Sequence, residues 1–313
     1  MSSREPVILG IDTSNYTTSA ARLEHGEIFQ SKKLLPVKPG QLGLRQSDAV
    51  FHHVQQLPDR LEEVLQGAPP IRAVGVSDRP RAQEGSYMPC FTVGVGTARA
   101  LAAAVGAPLY CFSHQAGHIA AALYSAGKLE LLEERFLAFH VSGGTTEAVL
   151  VTPDKDDILR AEIVASSLDL KGGQAVDRAG VLLGLPFPAG PELEKLALCW
   201  ESPIKVRPAM KGCNCSLSGI ENHCKKLYDT GHPKEEIARY CLEAVRAALE
   251  GMCTALLEEY GKLPVLFAGG VMSNSIIKKA LTEKFGAYFA EPVFSADNAA
   301  GTAVLAARKE GLL

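Results

Sequence analysis

Leu137-Ala138-Phe139-His140-Val141-Ser142-Gly143-Gly144-Thr145-Thr146-Glu147-Ala148-Val149-Leu150-Val151 reads as strand, small polar turn, strand. The flanking runs are apolar and rich in β formers, and the turn carries glycines and hydroxyls in place of bulk. The chain opens in the same way. Val7 to Ile11 is an apolar strand, Asp12-Thr13-Ser14-Asn15-Tyr16-Thr17-Thr18 is a polar tip, and Ser19 to Leu23 resumes the strand. Laid over one another, Thr17-Thr18-Ser19-Ala20 falls on Thr145-Thr146-Glu147-Ala148. Any two hairpins share some features, but two with tips this small, far apart in one chain, predict an α/β protein made of two related halves around a cleft.

Working outward from the first hairpin, Ser47 to Leu65 is an amphipathic helix with Phe51, Val54, Leu57 and Leu61 on one side, where Pro58 is able to kink it. Ile71 to Val76 is a buried strand, and Asp78 to Cys90 is irregular and reads as a loop over a site. Val93 to Val105 is a small-residue helix, ended by Gly106 and Pro108. From the second hairpin onward the pattern turns helical. Asp177 to Leu183 and Glu192 to Leu198 flank the rigid turn Pro186 to Pro191. Pro233 to Tyr260 carries a continuous apolar stripe from Ile237 to Tyr260. Pro264 to Ala268 is a strand, Gly269-Gly270 leads into a helix, Ala287 to Phe294 is a last strand, and an Ala-rich helix follows.

Composition narrows the function. A chain of 313 residues with 47% apolar content has room for two domains. A net charge of -3 with no long basic run argues against binding nucleic acid by charge alone. No apolar run approaches membrane-spanning length and no signal-like segment opens the chain, so the expectation is a cytoplasmic protein with reduced thiols and no membrane.

Ser113 is a good N-cap after the strand Leu109 to Phe112, and it puts His114 and His118 one turn apart on one helix face. Two imidazoles so placed can hold one metal ion; the plainer reading is two unrelated polar residues at a helix start. Asp297 would complete a two-His, one-carboxylate set with open positions, or serve only as a helix cap. Gly143-Gly144 and Gly269-Gly270 each follow a strand, where bare backbone can approach a phosphate; the alternative is a tight turn. Asp12 can hold water or a cation beside phosphates, and Asp177 can accept from ribose hydroxyls; otherwise they are a turn residue and a solvated helix residue.

Together these motifs resemble the TsaD family, also called Gcp or glycoprotease-like, of the actin/sugar-kinase/Hsp70 superfamily. The ordered series is Gly10-Ile11-Asp12-Thr13-Ser14, His114-x3-His118, Val141 to Thr146, Asp177 with Leu183-Gly184-Leu185, Pro188 to Pro191, Ser216 to Gly219, Ala268 to Val271 with Asn274, and Asp297-Asn298. The resemblance implies two ribonuclease-H-like domains, 1–135 and 136–313. The C-terminal helix would complete the first, and a helical insertion at about 190–260 would lie in the second. It implies His114, His118 and Asp297 as ligands of one divalent metal, Fe or Zn. His140, Val141, Ser142, Gly143, Gly144, Asp177, Gly190, Gly269, Gly270 and Asn274 would contact ATP or an adenylate, and Asp12 would be catalytic. The activity implied is threonylcarbamoyl transfer from its adenylate to the adenosine next to the tRNA anticodon, with a paralogous subunit and a small ATPase as partners. Gln115-Ala116-Gly117 offers no glutamate between the histidines, against the older protease label. The chain also departs from the pattern at Asn15 to Thr18, at Asp78 to Glu84, at Thr145 and at Gln174. Those changes raise a non-catalytic nucleotide-binding paralogue, dimerising with or regulating a true family enzyme, as the alternative.

Overall fold

A computed structural model of the chain describes residues 5–14, 16–37 and 44–313. Asn15, one of the departures above, lies outside the described residues. The chain divides into two compact units, one formed by 1–133, 152–161 and 293–313 and the other by 134–151 and 162–292.

The first unit contains β1 (Val7–Asp12), β2 (Thr17–Glu24), β3 (Glu27–Leu34), α1 (Gln46–Leu65), β4 (Ile71–Arg79), α2 (Phe91–Val105), β5 (Leu109–Ser113) and α3 (His114–Ser125). Its sheet runs β3-β2-β1-β4-β5, with β1 antiparallel to β2 and parallel to β4. Leu9, Ile11, Val74 and Val76 meet Leu57, Leu61 and Val64 of α1 in the core. The helix passes through Pro58 without interruption.

The second unit repeats that topology. It holds β6 (Phe136–Val141), β7 (Thr146–Asp154), β8 (Ile158–Ser166), α4 (Gly172–Leu183), α5 (Gly190–Leu198), β9 (Ala209–Lys211), β10 (Asn214–Ser216), α6 (Ser218–Asp229), α7 (Lys234–Tyr260), β11 (Val265–Ala268), α8 (Ser275–Phe285) and β12 (Tyr288–Phe289). The tip between β7 and β8 is counted with the first unit. Its sheet order, β8-β7-β6-β11-β12, matches the first when both are read from the antiparallel edge, with β6 antiparallel to β7 and parallel to β11. The duplication expected from the two hairpins is therefore present in the sheets. The stripe of α7 is core: Ile237, Cys241, Val245, Leu249, Met252 and Leu256 pack with Leu137, Phe139 and Val141 of β6.

Three local expectations change. The strand expected over 287–294 is only Tyr288–Phe289, followed by a four-residue helix, α9 (Pro292–Ser295), because Pro292 cannot donate to a ladder. The strand ending near Val76 continues to Arg79, and the loop after it turns the Pro80 carbonyl onto the Gln115 N–H at 3.1 Å, in the first turn of α3. Gly269-Gly270 leads into a short 3-10 turn, Gly270–Ser273, and α8 starts only at Ser275, where the Asn274 side chain accepts from the Ile277 N–H.

The last helix, α10 (Ala300–Lys309), is buried on all sides from Ala300 to Ala307, and glycine makes that possible. A Cβ at Gly10 of β1 would stand 2.8 Å from the Ala303 nitrogen, and one at Gly75 of β4 would stand 2.9 Å from the Thr302 carbonyl carbon. A Cβ at Gly301 would overlap the carbonyl of Gly117 in α3. Backbone thus lies directly on backbone, with α10 pressed into β1, β4 and α3 at distances no side chain allows.

Behind the β1–β2 hairpin, His53 of α1 is fully buried. Its Nδ1 is 2.8 Å from the Thr18 hydroxyl, which donates to Gln56 Oε1 at 3.0 Å. Burial holds this imidazole down at about 4, against the pull of the Asp12 charge. The folded chain therefore binds this proton less readily than the unfolded chain, whose histidine titrates near 6.5. Its contribution is present above about pH 6.5 and is lost as pH falls toward 4, reaching about 3 kcal/mol. His53→Gln should lower the urea midpoint less than wild type does between pH 7 and pH 4.5. Parallel losses in the two proteins would remove His53 as the cause.

Candidate metal centre and nucleotide cavity

The two histidines reach one point because α3 begins directly at the end of β5. Ser113 caps it by accepting from the Ala116 N–H at 3.2 Å, so His114 and His118 fall on one face with ring centroids 4.3 Å apart. The tight crossing of α3 and α10 brings in Asp297 from the other end of the chain. Its Oδ1 lies 3.1 Å from His118 Nε2 and 3.5 Å from His114 Nε2. Asp297 is not the cap of its helix: Ala299 occupies that position, and Asn298 Oδ1 accepts from the Ala300 N–H. The Asp297 carboxylate turns to the imidazoles instead.

Those spacings fit a metal ion. Donors on a tetrahedral ion with bonds of about 2.0–2.1 Å stand roughly 3.3 Å from one another. One ligand atom from each of His114, His118 and Asp297 lies within 4.8 Å of the others, and the three form the candidate cluster among the described residues. The local potential is also negative. Burial works against an imidazolium at His114, yet the carboxylates of Asp12 and Asp297 outweigh it and push the group up to about 10. Burial likewise opposes ionisation of Asp297, but the hydrogen bonds from His114 and His118 and their charge hold its carboxyl far below the usual range. A potential that retains a proton there also attracts a divalent cation.

Asp12, expected at a hairpin tip, is the last residue of β1 and is 1% exposed. One oxygen accepts from the Ser14 N–H at 2.8 Å and from the Ser14 hydroxyl. The other accepts from the Ser77 hydroxyl at 2.5 Å and meets His114 Nδ1 at 2.8 Å. Burial raises its carboxyl, but the His114 charge and these hydrogen bonds bring it below the ordinary value.

In the second unit a cavity of about 370 Å³ collects Ser142, Gly143, Asp177, Gly190, Gly270 and Asn274 of the predicted contacts. His140, Val141, Gly144 and Gly269 do not line it. Val141 is a fully buried core residue, and Gly269, at φ +103°, stands where a Cβ would overlap the Val141 carbonyl. At Gly143 and Gly270, by contrast, nothing stands within 4 Å of where a Cβ would project, so bare backbone borders open space. Asp177 Oδ1 accepts from the Ala189 N–H at 2.9 Å at the start of α5. Sequence reasoning missed Glu194 on this wall. It accepts from the Ser275 N–H at 2.8 Å and from the Ser275 hydroxyl, and its place in the helix after the Pro188 turn gave no pattern to find it by. Gln174, a departure from the family pattern, accepts from the Lys171 N–H at 3.1 Å and closes the first turn of α4.

Two glycine variants separate ligand contact from folding. Gly270→Val should weaken AMP binding by at least about tenfold in calorimetry, with little change in melting, because its side chain would enter the cavity. Gly269→Ala should lower stability by at least about 3 kcal/mol, since φ and the Val141 carbonyl, which a Cβ would overlap, both oppose it. Unchanged AMP affinity in Gly270→Val would remove the cavity as a nucleotide site.

No helix among the described residues is long and apolar enough to cross a membrane. The family model for TsaD, tRNA N6-adenosine threonylcarbamoyltransferase, matches residues 28–304. The tRNA N6-adenosine threonylcarbamoyltransferase of Halalkalibacterium halodurans is 31% identical over 313 aligned residues, covering 94% of this chain and 85% of the relative. That of Thermus thermophilus is 30% identical over 309, covering 96% and 92%. Among solved structures, HypF of T. kodakarensis superposes with a TM-score of 0.60 at 13% identity, over 98% of this chain and 47% of that one. The likeness is one of fold, an α/β architecture with two five-stranded mixed sheets. With its model matched over most of the length and both relatives aligned nearly end to end, the chain belongs to the TsaD family.

Proposed function

We propose that the chain transfers a threonylcarbamoyl group from its adenylate to the N6 amine of a tRNA adenosine. The observation that carries this reading is the convergence of His114, His118 and Asp297, with metal-ligand spacing, in a chain of this family. The three residues would hold one divalent ion, Fe or Zn. When bound, that ion supplies a Lewis acid and a counter-charge for an acyl phosphate. In the second unit, Gly143 and Gly270 give the nucleotide access to bare backbone, and Asp177 and Glu194 offer carboxylate oxygens to ribose hydroxyls. The adenosine N6 forms the new C–N bond at the carbamoyl carbon, the C–O bond to phosphate breaks, and AMP leaves with that electron pair. N6 gives one proton to solvent.

A cytoplasmic setting, a paralogous subunit and a small ATPase belong to the same proposal. The experiment is a transfer assay with threonylcarbamoyl-adenylate and unmodified tRNA, run with the chain alone and with such a subunit. Digested tRNA is read by mass spectrometry. Threonylcarbamoyladenosine is expected; its absence in both arms, with AMP still bound in the cavity, overturns the transfer reading.

A further inference from the structure

We propose that Asp12 is a positioning residue for His114, fixing the tautomer that turns the Nε2 lone pair toward Asp297 and His118, and does not itself meet the cation or the substrate. The inference rests on the metal reading above. Asp12 is 1% exposed, and three donors, the Ser14 N–H and the Ser14 and Ser77 hydroxyls, already surround its two oxygens beside His114 Nδ1. The Ser77 hydroxyl donates to the same oxygen that faces His114 Nδ1 at 2.8 Å. With the carboxylate accepting throughout, the proton on the Asp12–His114 line sits on Nδ1. The opposite nitrogen of that ring is the one 3.5 Å from Asp297. The ring has little freedom to turn over: His118 packs against it edge-on at 4.3 Å and Phe91 at 6.2 Å. A carboxylate that holds the far nitrogen of a ligating histidine sets both its tautomer and its orientation.

The sheet explains why Asp12 stands there. β1 and β4 run parallel, so the end of β1 lies beside Ser77 of β4, and β5 next to β4 delivers α3 and His114. The carboxylate is held from its own turn by Ser14, from the neighbouring strand by Ser77 and from the helix by His114.

Asp12→Asn tests the idea with almost no change in shape. An asparagine NH2 facing His114 forces Nδ1 to accept, which moves the proton to Nε2 and blocks ligation. An NH2 on the other side opposes the fixed Ser14 N–H. Zinc affinity, measured by chelator competition on the full chain, should fall about 10- to 100-fold. AMP affinity in the second unit should stay unchanged. A second measurement needs no variant: long-range 15N–1H NMR of zinc-loaded wild type should show His114 protonated at Nδ1. Zinc bound by wild type and by Asp12→Asn within twofold overturns the positioning role and leaves the metal reading standing. A His114 proton at Nε2 in the zinc-loaded protein does the same. Wild type that takes up no zinc overturns both.

Discussion

Gly301→Ala should lower the melting temperature of the chain by about 5–10 °C and reduce its metal content together, although the substitution adds only one methyl group. The new Cβ would overlap the Gly117 carbonyl, so α3 and α10 would have to separate or slide. Overpacking of ordinary side chains costs about 1–3 kcal/mol, and a clash with backbone, which cannot change rotamer, belongs at or above that limit. The same crossing sets the 3.1 Å approach of Asp297 to His118, so a shift of even an ångström takes the third donor away from the pair. Gly96→Ala is the contrast. It also lies inside a helix, but nothing stands within 4 Å of its missing Cβ, and alanine there should stabilise by about 0.5–1 kcal/mol. If Gly301→Ala melts with wild type and keeps its metal, the close helix crossing does not hold the site together.

That crossing also shows where sequence reasoning reaches its limit. The hairpins, the α7 stripe and the Ser113 cap were legible because each depends on residues near one another in the chain: period two, period 3.6, and one hydroxyl before a helix. The His114 and His118 pairing followed from helix geometry alone. Asp297 was named beside them from chemistry and family pattern, but nothing local says that its helix is pressed against α3. That depends on Gly10, Gly75 and Gly301, three glycines on three elements whose common purpose shows only when the backbones are stacked. The role of Asp12 was hidden for a similar reason. At the tip of a polar turn it reads as available to a ligand, whereas the parallel β1–β4 pairing buries it against Ser77 and His114. Gln174 and Asn274 show the reverse, side chains in motif positions that also close or cap a helix.

His118→Ala is the clean test of the metal centre, and His114→Ala is not. Both should cut bound metal from about one ion per chain to background, and both should cost at least about a thousandfold in transfer, given several kcal/mol of charge stabilisation from a bound ion. Their effects on folding should differ. Removing His114 leaves the Asp12 carboxylate buried without its charged partner, which costs about 3–5 kcal/mol in comparable settings. A drop in metal there is entangled with a drop in stability. His118 contacts Asp297, which keeps His114 as a partner when His118 is gone, so His118→Ala should melt close to wild type once both are stripped with chelator. The exposed His223, stacked on Tyr240 in the second unit, supplies the control: His223→Ala should keep its metal. Metal retained at wild-type stoichiometry in His118→Ala would show that the cation is held elsewhere. Metal lost with transfer intact would separate the ion from the chemistry and leave His114, His118 and Asp297 a structural cluster.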